Sequence, residues 1–408
     1  MKRFQAQQAY LVLMFILSVF IIILPGCDDG AGGGGHWIDP GATTIGPGQV
    51  TSTVPFDVAT GVCIDRTISA TFSVAMDPLT ITTDTFTLAV LGAPVTGVVA
   101  YDPLTRIATF DPTGNLIAGV NYTATIKSGA TGVKDAAGNA LAADEVWTFT
   151  TGTTACVAPV VLGAAAPFGG FGGGAGMTNQ GILTIIDGDI GTTAASTLIT
   201  GFHDSTGDEY TETPLNIGAV NGRIYTAPPP PVIFGPGGPF GGTAATMAIA
   251  TAAAGDALTA YNSISPASLP GGTDPGAGQL GGLTLFPGIY MAAGGTFLLT
   301  GSDLTLDAQG DADAVWVFQT AAGLTIGAPG FPRNIILTNG AQAKNVFWYV
   351  GSAARVEDLC HMVGTIIANS GVTISTAGQL STTTLDGRAL SLIASVTVVN
   401  TLINVPAP

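Results

Sequence analysis

Beyond residue 180, strand-length apolar runs follow one another almost without a break: 182–186, 222–225, 283–285, 303–306, 315–318, 335–337 and 346–350, each closed off by Gly, Asn or Pro. Runs this short cannot each make a core, so they must stack on one another. No fixed repeat length emerges, which suits a solenoid whose coils differ in length and bury inward residues against the coils above and below. A second β-sandwich is the rival arrangement. One stretch departs from the pattern: 243–264 is Ala-rich, with Met247, Ala250, Ala254, Leu258 and Tyr261 on one face at helical spacing. Its small side chains permit close approach to a flat sheet. Gly255 weakens the helix by about 1 kcal/mol, so it needs a surface to pack against.

Upstream, from 50 to 152, the apolar period is two. Ile68, Ala70 and Phe72 share one face, as do Phe86, Leu88 and Val90, then Tyr122, Ala124 and Ile126, then Trp147 and Phe149. Clusters such as Asp111-Pro112-Thr113-Gly114 and Ala137-Gly138-Asn139 supply turns. That spacing predicts a sandwich. The stretches "ISATFSVAMDP" and "GVKDAAGNALAADEVWTFTTG" resemble the bacterial Ig-like domains of surface proteins, which implies a spacer over 50–152.

The first 27 residues read as an export signal: Lys2 and Arg3 precede an apolar run from Leu11 to Leu24 that is short for a membrane span. Leu24-Pro25-Gly26-Cys27 resembles a bacterial lipobox. It implies cleavage before Cys27, lipidation of that residue, attachment to a membrane and a cell-envelope or cell-surface location; Pro25 is less usual at its position than Ala or Ser. Residues 28–49 then read as a flexible tether. Cys63 and Cys156 bracket the Ig-like region, and an exported chain can keep a disulfide, so they are expected to pair. Cys360, among apolar strand residues, reads as a buried inert thiol.

Only 9% of residues are charged and the formal net charge is −16, which argues against nucleic acid and anionic headgroups as partners. No catalytic constellation is found. H-E-x-x-H and G-x-S-x-G are absent, and the two G-x-G-x-x-G matches, 30–35 and 276–281, do not join a strand to a helix. His203, Asp204, Asp208, Glu209 and Glu212 crowd one segment and Asp307, Asp311 and Asp313 another. Neither spacing fits a calcium loop, so both read as solvated turns, and no metal or cofactor is expected.

The motifs "LGGLTLFPGIY", "LTLDAQGDADAVWVFQ", "NGAQAKNVFWYVGSAA" and "DGRAL", in that order, resemble the microbial ice-binding protein family. The resemblance runs over 160–408. It implies a mainly β chain in which the Ig-like sandwich precedes a right-handed, irregular β-helix of triangular section with one long α-helix alongside. The function it implies is adsorption to an ice surface, without catalysis, by a monomer. A surface adhesin or structural envelope module binding polysaccharide or another cell is the alternative, and it would want a groove lined with Trp or Tyr and carboxylates. An enzyme related to polysaccharide-cleaving β-helices would need carboxylates converging on one face, and the sequence places none.

Ice is uncharged and ordered, so a matching protein face should be flat, poor in charge and already rigid. Threonine, stiff at χ1 and carrying both a methyl and a hydroxyl, suits such a face. Between Cys360 and Pro408 only Asp386 and Arg388 are charged. Inward Val372 and Ile374 send Thr373 and Ser375 outward, and inward Val396 and Val398 do the same for Thr397. Thr365, Thr382 and Thr384 complete the candidates, at positions where register is ambiguous. The T-A/G-x-T/N pattern of some family members is missed at its last residue by Thr376-Ala377-Gly378-Gln379, and its full matches, 243–246 and 259–262, fall on the helix.

Overall fold

The computed structural model describes residues 47–229 and 241–407. The export signal, Cys27 and most of the tether lie outside the described residues. Among the described residues no helix is long and apolar enough to cross a membrane.

The first region is a sandwich of two sheets. Val50–Val54, Ile68–Phe72, Ile107–Pro112 and Gly97–Asp102 form one, antiparallel throughout. Ala59–Val62, Glu145–Thr151, Asn121–Ile126, Phe86–Val90 and Ala93–Pro94 form the other, with Ala59–Val62 its one parallel member. The period-two faces meet between the sheets: Ile68, Phe72, Phe86, Tyr122, Ile126, Trp147 and Phe149 are almost fully buried. Cys63 and Cys156 are bonded, their Cα atoms 5.0 Å apart across 93 residues of chain. A loop of that length contributes about 4 to 5 kcal/mol in the chain-entropy account.

The second region is a triangular β-helix whose sides are parallel sheets. One side stacks seven short strands in the order Ile199–Thr200, Met177–Asn179, Val396–Val398, Val372–Ile374, Ala354–Val356, Leu324–Ile326 and Phe297–Leu299. The other two sides share the long strands His361–Ala368 and Thr383–Ser391, which turn the corner between them. The turn is made by stacked glycines: a Cβ on Gly387 would collide with the carbonyl oxygen of Gly364, itself at φ +100°. Inside the triangle Phe318 stacks on Trp348 at 4.0 Å, and the indole nitrogens of Trp316 and Trp348 donate to the carbonyls of Leu285 and Val363. Both tryptophans are therefore core.

Coils do not stack in chain order, contrary to the simple procession that the runs suggest. The strands Phe168–Gly172, Met177–Asn179 and Thr184–Asp187 pair with Thr383–Ser391, Val396–Val398 and Thr401–Asn404, so the start of the domain lies against its end. Beyond residue 240 the chain returns to the opposite end of the stack through the helix Ala244–Ser263. Twenty residues at a rise of about 1.5 Å reach about 30 Å. Six steps between the seven strands, at about 4.8 Å each, come to about 29 Å. The helix is as long as the stack it spans.

It packs on Ala250, Ala253, Ala257, Ala260 and Tyr261, against Phe168, Phe171, Val317, Phe347, Ile367 and Leu390. Met247 and Leu258, expected on that face, are exposed, and Ala254 is only half-buried. The alanine stripe wins because it lets the helix axis approach the sheet more closely than Met or Leu would. Thr243 begins the helix as a reciprocal cap: its hydroxyl accepts from the Thr246 amide and the Thr246 hydroxyl accepts from the Thr243 amide.

Under the same side lies Arg388, 4% exposed. Its guanidinium donates to the carbonyls of Ala166 and Pro406, tying both ends of the domain to the stack. Burial pushes its pKa down to about 10, so it stays charged at neutral pH.

Candidate functional site

The seven-strand side is the most uniform surface of the β-helix. Each three-residue strand buries its first and third residues and turns only the middle one out, as in Val372-Thr373-Ile374 and Val396-Thr397-Val398. Strand register aligns these middle residues in single file: Leu298, Thr325, Arg355, Thr373, Thr397, Thr178 and Thr200. Four threonines are thus consecutive, about 4.8 Å apart. At one end the Thr200 hydroxyl donates to that of Thr178 at 3.2 Å. The file is one residue wide, not the two-dimensional lattice of hydroxyls that alternation along longer strands would give. The corner beside it is built of small neutral residues, among them Ala322, Ser352, Ala353, Ser370, Ser395 and Ala175.

Arg355 is the one charge in the file. Its Nε and Nη2 donate to the two oxygens of Glu357 at 2.9 and 2.8 Å, and Nη1 donates to the Ser375 carbonyl. The bidentate pair raises the Arg355 pKa further and holds the guanidinium toward the neighbouring corner.

The adjoining exposed side differs. Its strands are mostly four residues or longer and turn out two columns: Thr384 with Asp386, Leu402 with Asn404 and Ile185 with Asp187, with His361 in the first column, while Val363, in register with the second, is buried. His361 Nε2 lies 2.7 Å from Asp386 Oδ2, and Asn404 donates to Asp386 Oδ1. The third side is covered by the helix.

Comparison with known proteins now bears on this geometry. The sequence profile described as ice-binding-like matches residues 171–404, more than half of the chain. The chain belongs to that family. A second profile, described as a bacterial Ig-like domain, matches 43–151. An ice-binding protein of Leucosporidium sp. (strain AY30) is 33% identical over 223 residues, covering 53% of this chain and 74% of that one. An ice-binding protein of Flavobacterium frigoris (strain PS1) is 32% identical over 152 residues, covering 37% of this chain and 51% of that one. Ice-binding protein 1 of Shewanella frigidimarina (strain NCIMB 400) is 40% identical over 103 residues, covering 25% of this chain and only 11% of that much longer one.

Within the ice-binding-like domain, the candidate residues are dispersed. Thr373 and Thr397 are neighbours in the file. Thr384 lies on the second exposed side, paired with His361, and Thr382 lies half-buried just before its strand. Thr365 is wholly buried, its hydroxyl 3.5 Å from Arg388 Nη1, because the helix covers the outward face of that half of its strand. Ser375 is buried too: its backbone, at φ +67°, breaks the alternation, and its hydroxyl donates to Asp358. Thr178, Thr200 and Thr325 were missed. The local alternation Met177-Thr178-Asn179 was visible, but its place in the file follows only from stacking of the first strands on the last.

The acidic clusters are occupied by turns. Asp204 Oδ1 accepts from the Thr206 amide and hydroxyl, and Asp307 Oδ1 accepts from the Gln309 amide and the Asn339 side chain. Among the described residues the one grouping with metal-ligand spacing is Cys63, Asp65 and Cys156, whose two sulfurs are already bonded to each other. Cys360 is buried, and burial pushes its thiol pKa up, away from nucleophilic character.

Proposed function

We propose that the β-helix adsorbs to ice through the threonine file and the neutral corner beside it. The observation that carries this reading is the run Thr373, Thr397, Thr178 and Thr200, four rigid hydroxyl-methyl pairs in strand register with no charge among them. Each contact with ordered water is weak, and adsorption comes from making many at once with little side-chain entropy left to lose. The names of the relatives, all ice-binding proteins, support the same reading. Burial of Trp316 and Trp348 weakens the polysaccharide-binding alternative, since it takes away the aromatic platform such a groove would need.

The test is thermal hysteresis and recrystallisation inhibition by the chain from residue 28 onward. Shaped, growth-arrested crystals are expected. Growth indistinguishable from buffer and albumin controls overturns the reading. The cellular part of the proposal is that lipid on Cys27 and the Ig-like spacer hold the β-helix at the outside of a cell, for ice adhesion or local restraint of recrystallisation. Incorporation of labelled palmitate that disappears in Cys27→Ser is the expected result.

A further inference from the structure

The Ig-like region and the β-helix meet through groups that leave the joint little freedom. Gln309 lies in the corner segment between the strands Leu304–Asp307 and Trp316–Thr320, is 5% exposed and has φ +52°. Its side-chain amide pairs with one residue of the sandwich edge strand in both directions: Oε1 accepts from the Thr60 amide at 2.7 Å and Nε2 donates to the Thr60 carbonyl at 2.6 Å. Its own carbonyl accepts from the Phe56 amide at 3.1 Å. One glutamine thus imitates a strand neighbour and closes an otherwise open edge. Two residues on, Asp311 meets Arg66 at 2.6 Å, both side chains largely buried.

The connecting segment has no slack either. Cys156 is bonded to Cys63, its amide donates to Asp65, and the Thr154 carbonyl accepts from the Ile64 amide, so the linker is laid back along the sandwich before it leaves. Val157 and Val160 then pack into the cluster beneath the helix. The joint also has a definite place: Gln309 and Asp311 sit at the corner opposite the seven-strand side, so the threonine file is untouched by the sandwich.

We infer that the Ig-like domain is a rigid holder, fixed by Gln309, the Arg66–Asp311 pair and the disulfide-bound linker, that grips the β-helix from behind and turns the threonine file away from itself. The importance of that orientation rests on the adsorption reading; the rigidity does not. Adsorption by a surface whose facing is already set forfeits less orientational freedom than adsorption by a domain swinging on a string.

Pulsed electron paramagnetic resonance on the chain from residue 28 onward, with nitroxides on Leu104→Cys and Ile393→Cys, reads the joint directly. Both sites are exposed, while the native cysteines are bonded or buried. One narrow distance distribution is expected. Gln309→Ala with Asp311→Arg should broaden it, and adding Arg66→Asp, which restores the ion pair with its charges exchanged, should narrow it again. A parent distribution as broad as that of the double variant overturns the inference, as does a double variant that stays narrow. Hysteresis in free solution, read on the same proteins with Leu104 and Ile393 left in place, should be equal in parent and variants, because the file and its corner are untouched. A parent without hysteresis counts against the adsorption reading alone, while the distance distributions still decide the joint.

Discussion

The two exposed sides of the β-helix are made by the same coils, a few residues apart, yet they present different chemistry to water. On the seven-strand side each coil contributes two or three residues and only one of them faces out, so a uniform surface requires one suitable residue per coil. The adjoining side has longer strands and two outward columns, and it collects Asp187, His361 and Asp386 between exposed aliphatics such as Ile185 and Ile336. Ionised groups bind their own water tightly and impose its geometry. Aliphatics between them add nothing regular. Width is therefore gained at the expense of uniformity, and the narrow side is the better match to an ordered neutral solid.

The largest effect should come from spoiling that uniformity. Tyrosine in place of Thr397 and Thr178, adjacent rungs from opposite ends of the domain, would stand proud of the plane and lift its neighbours off the ice. A loss of hysteresis of at least ~5-fold is expected, since all contacts in a multivalent surface are weakened together. The same substitution at Thr384, on the other side, should leave hysteresis within error of the parent. If Thr384→Tyr abolishes activity and the double variant does not, the roles of the two sides are reversed.

A smaller change should sharpen the contrast. Arg355 separates Thr325 from the four consecutive threonines, and its guanidinium brings bound water into the file. Replacing Arg355 by Thr and Glu357 by Gln, so that no carboxylate is left without its partner, joins six threonines in register. Roughly a 1.5- to 2-fold rise in hysteresis is expected from an unbroken run two rungs longer on a multivalent surface. A fall would mean that the flat guanidinium, tied to Glu357 and the Ser375 carbonyl, is itself an ice contact.

How much of this was legible beforehand depended on whether each strand had a wet face. In the sandwich the central strands alternate between core and solvent, so Ile68-Ala70-Phe72 and its counterparts could be read directly. The same held for Thr373 and Thr397, held outward by flanking Val and Ile. It failed at Thr365, because the helix dries the outer face of that sheet and nearly every residue of the strand's second half is buried whichever way it points. It failed at Ser375, where a left-handed backbone ends the alternation. Thr178 and Thr200 were out of reach for a different reason: their place in the file depends on pairing between the two ends of the domain, which no local pattern records. The helix posed the same difficulty, since its contact face was chosen by closeness of approach and not by hydrophobicity.

The smallest expected effect concerns the His361–Asp386 pair, and it separates the two sides by pH alone. The hydrogen bond from His361 holds the Asp386 carboxyl below its usual range, and the same bond raises the imidazole above its own. Asp303 faces the same column but is engaged by the Asn334 amide and side chain. For the histidine, whose folded pKa is raised, the stabilisation is complete below the unfolded value of about 6.5 and is lost as pH rises through the folded one. For the aspartate, whose folded pKa is depressed, it is present above the unfolded value of about 3.9 and is lost as pH falls. The pair therefore contributes most between about pH 4 and 6.5. With side chains 42% and 35% exposed, solvent screening should keep that contribution below about 1 kcal/mol. Melting should show a shallow decline from pH 6 to pH 9 that His361→Asn removes. Hysteresis should stay flat over the same range, because the threonine file holds no group that titrates there. A hysteresis that follows the protonation of His361, and flattens in His361→Asn, would put the ice on the other side of the triangle.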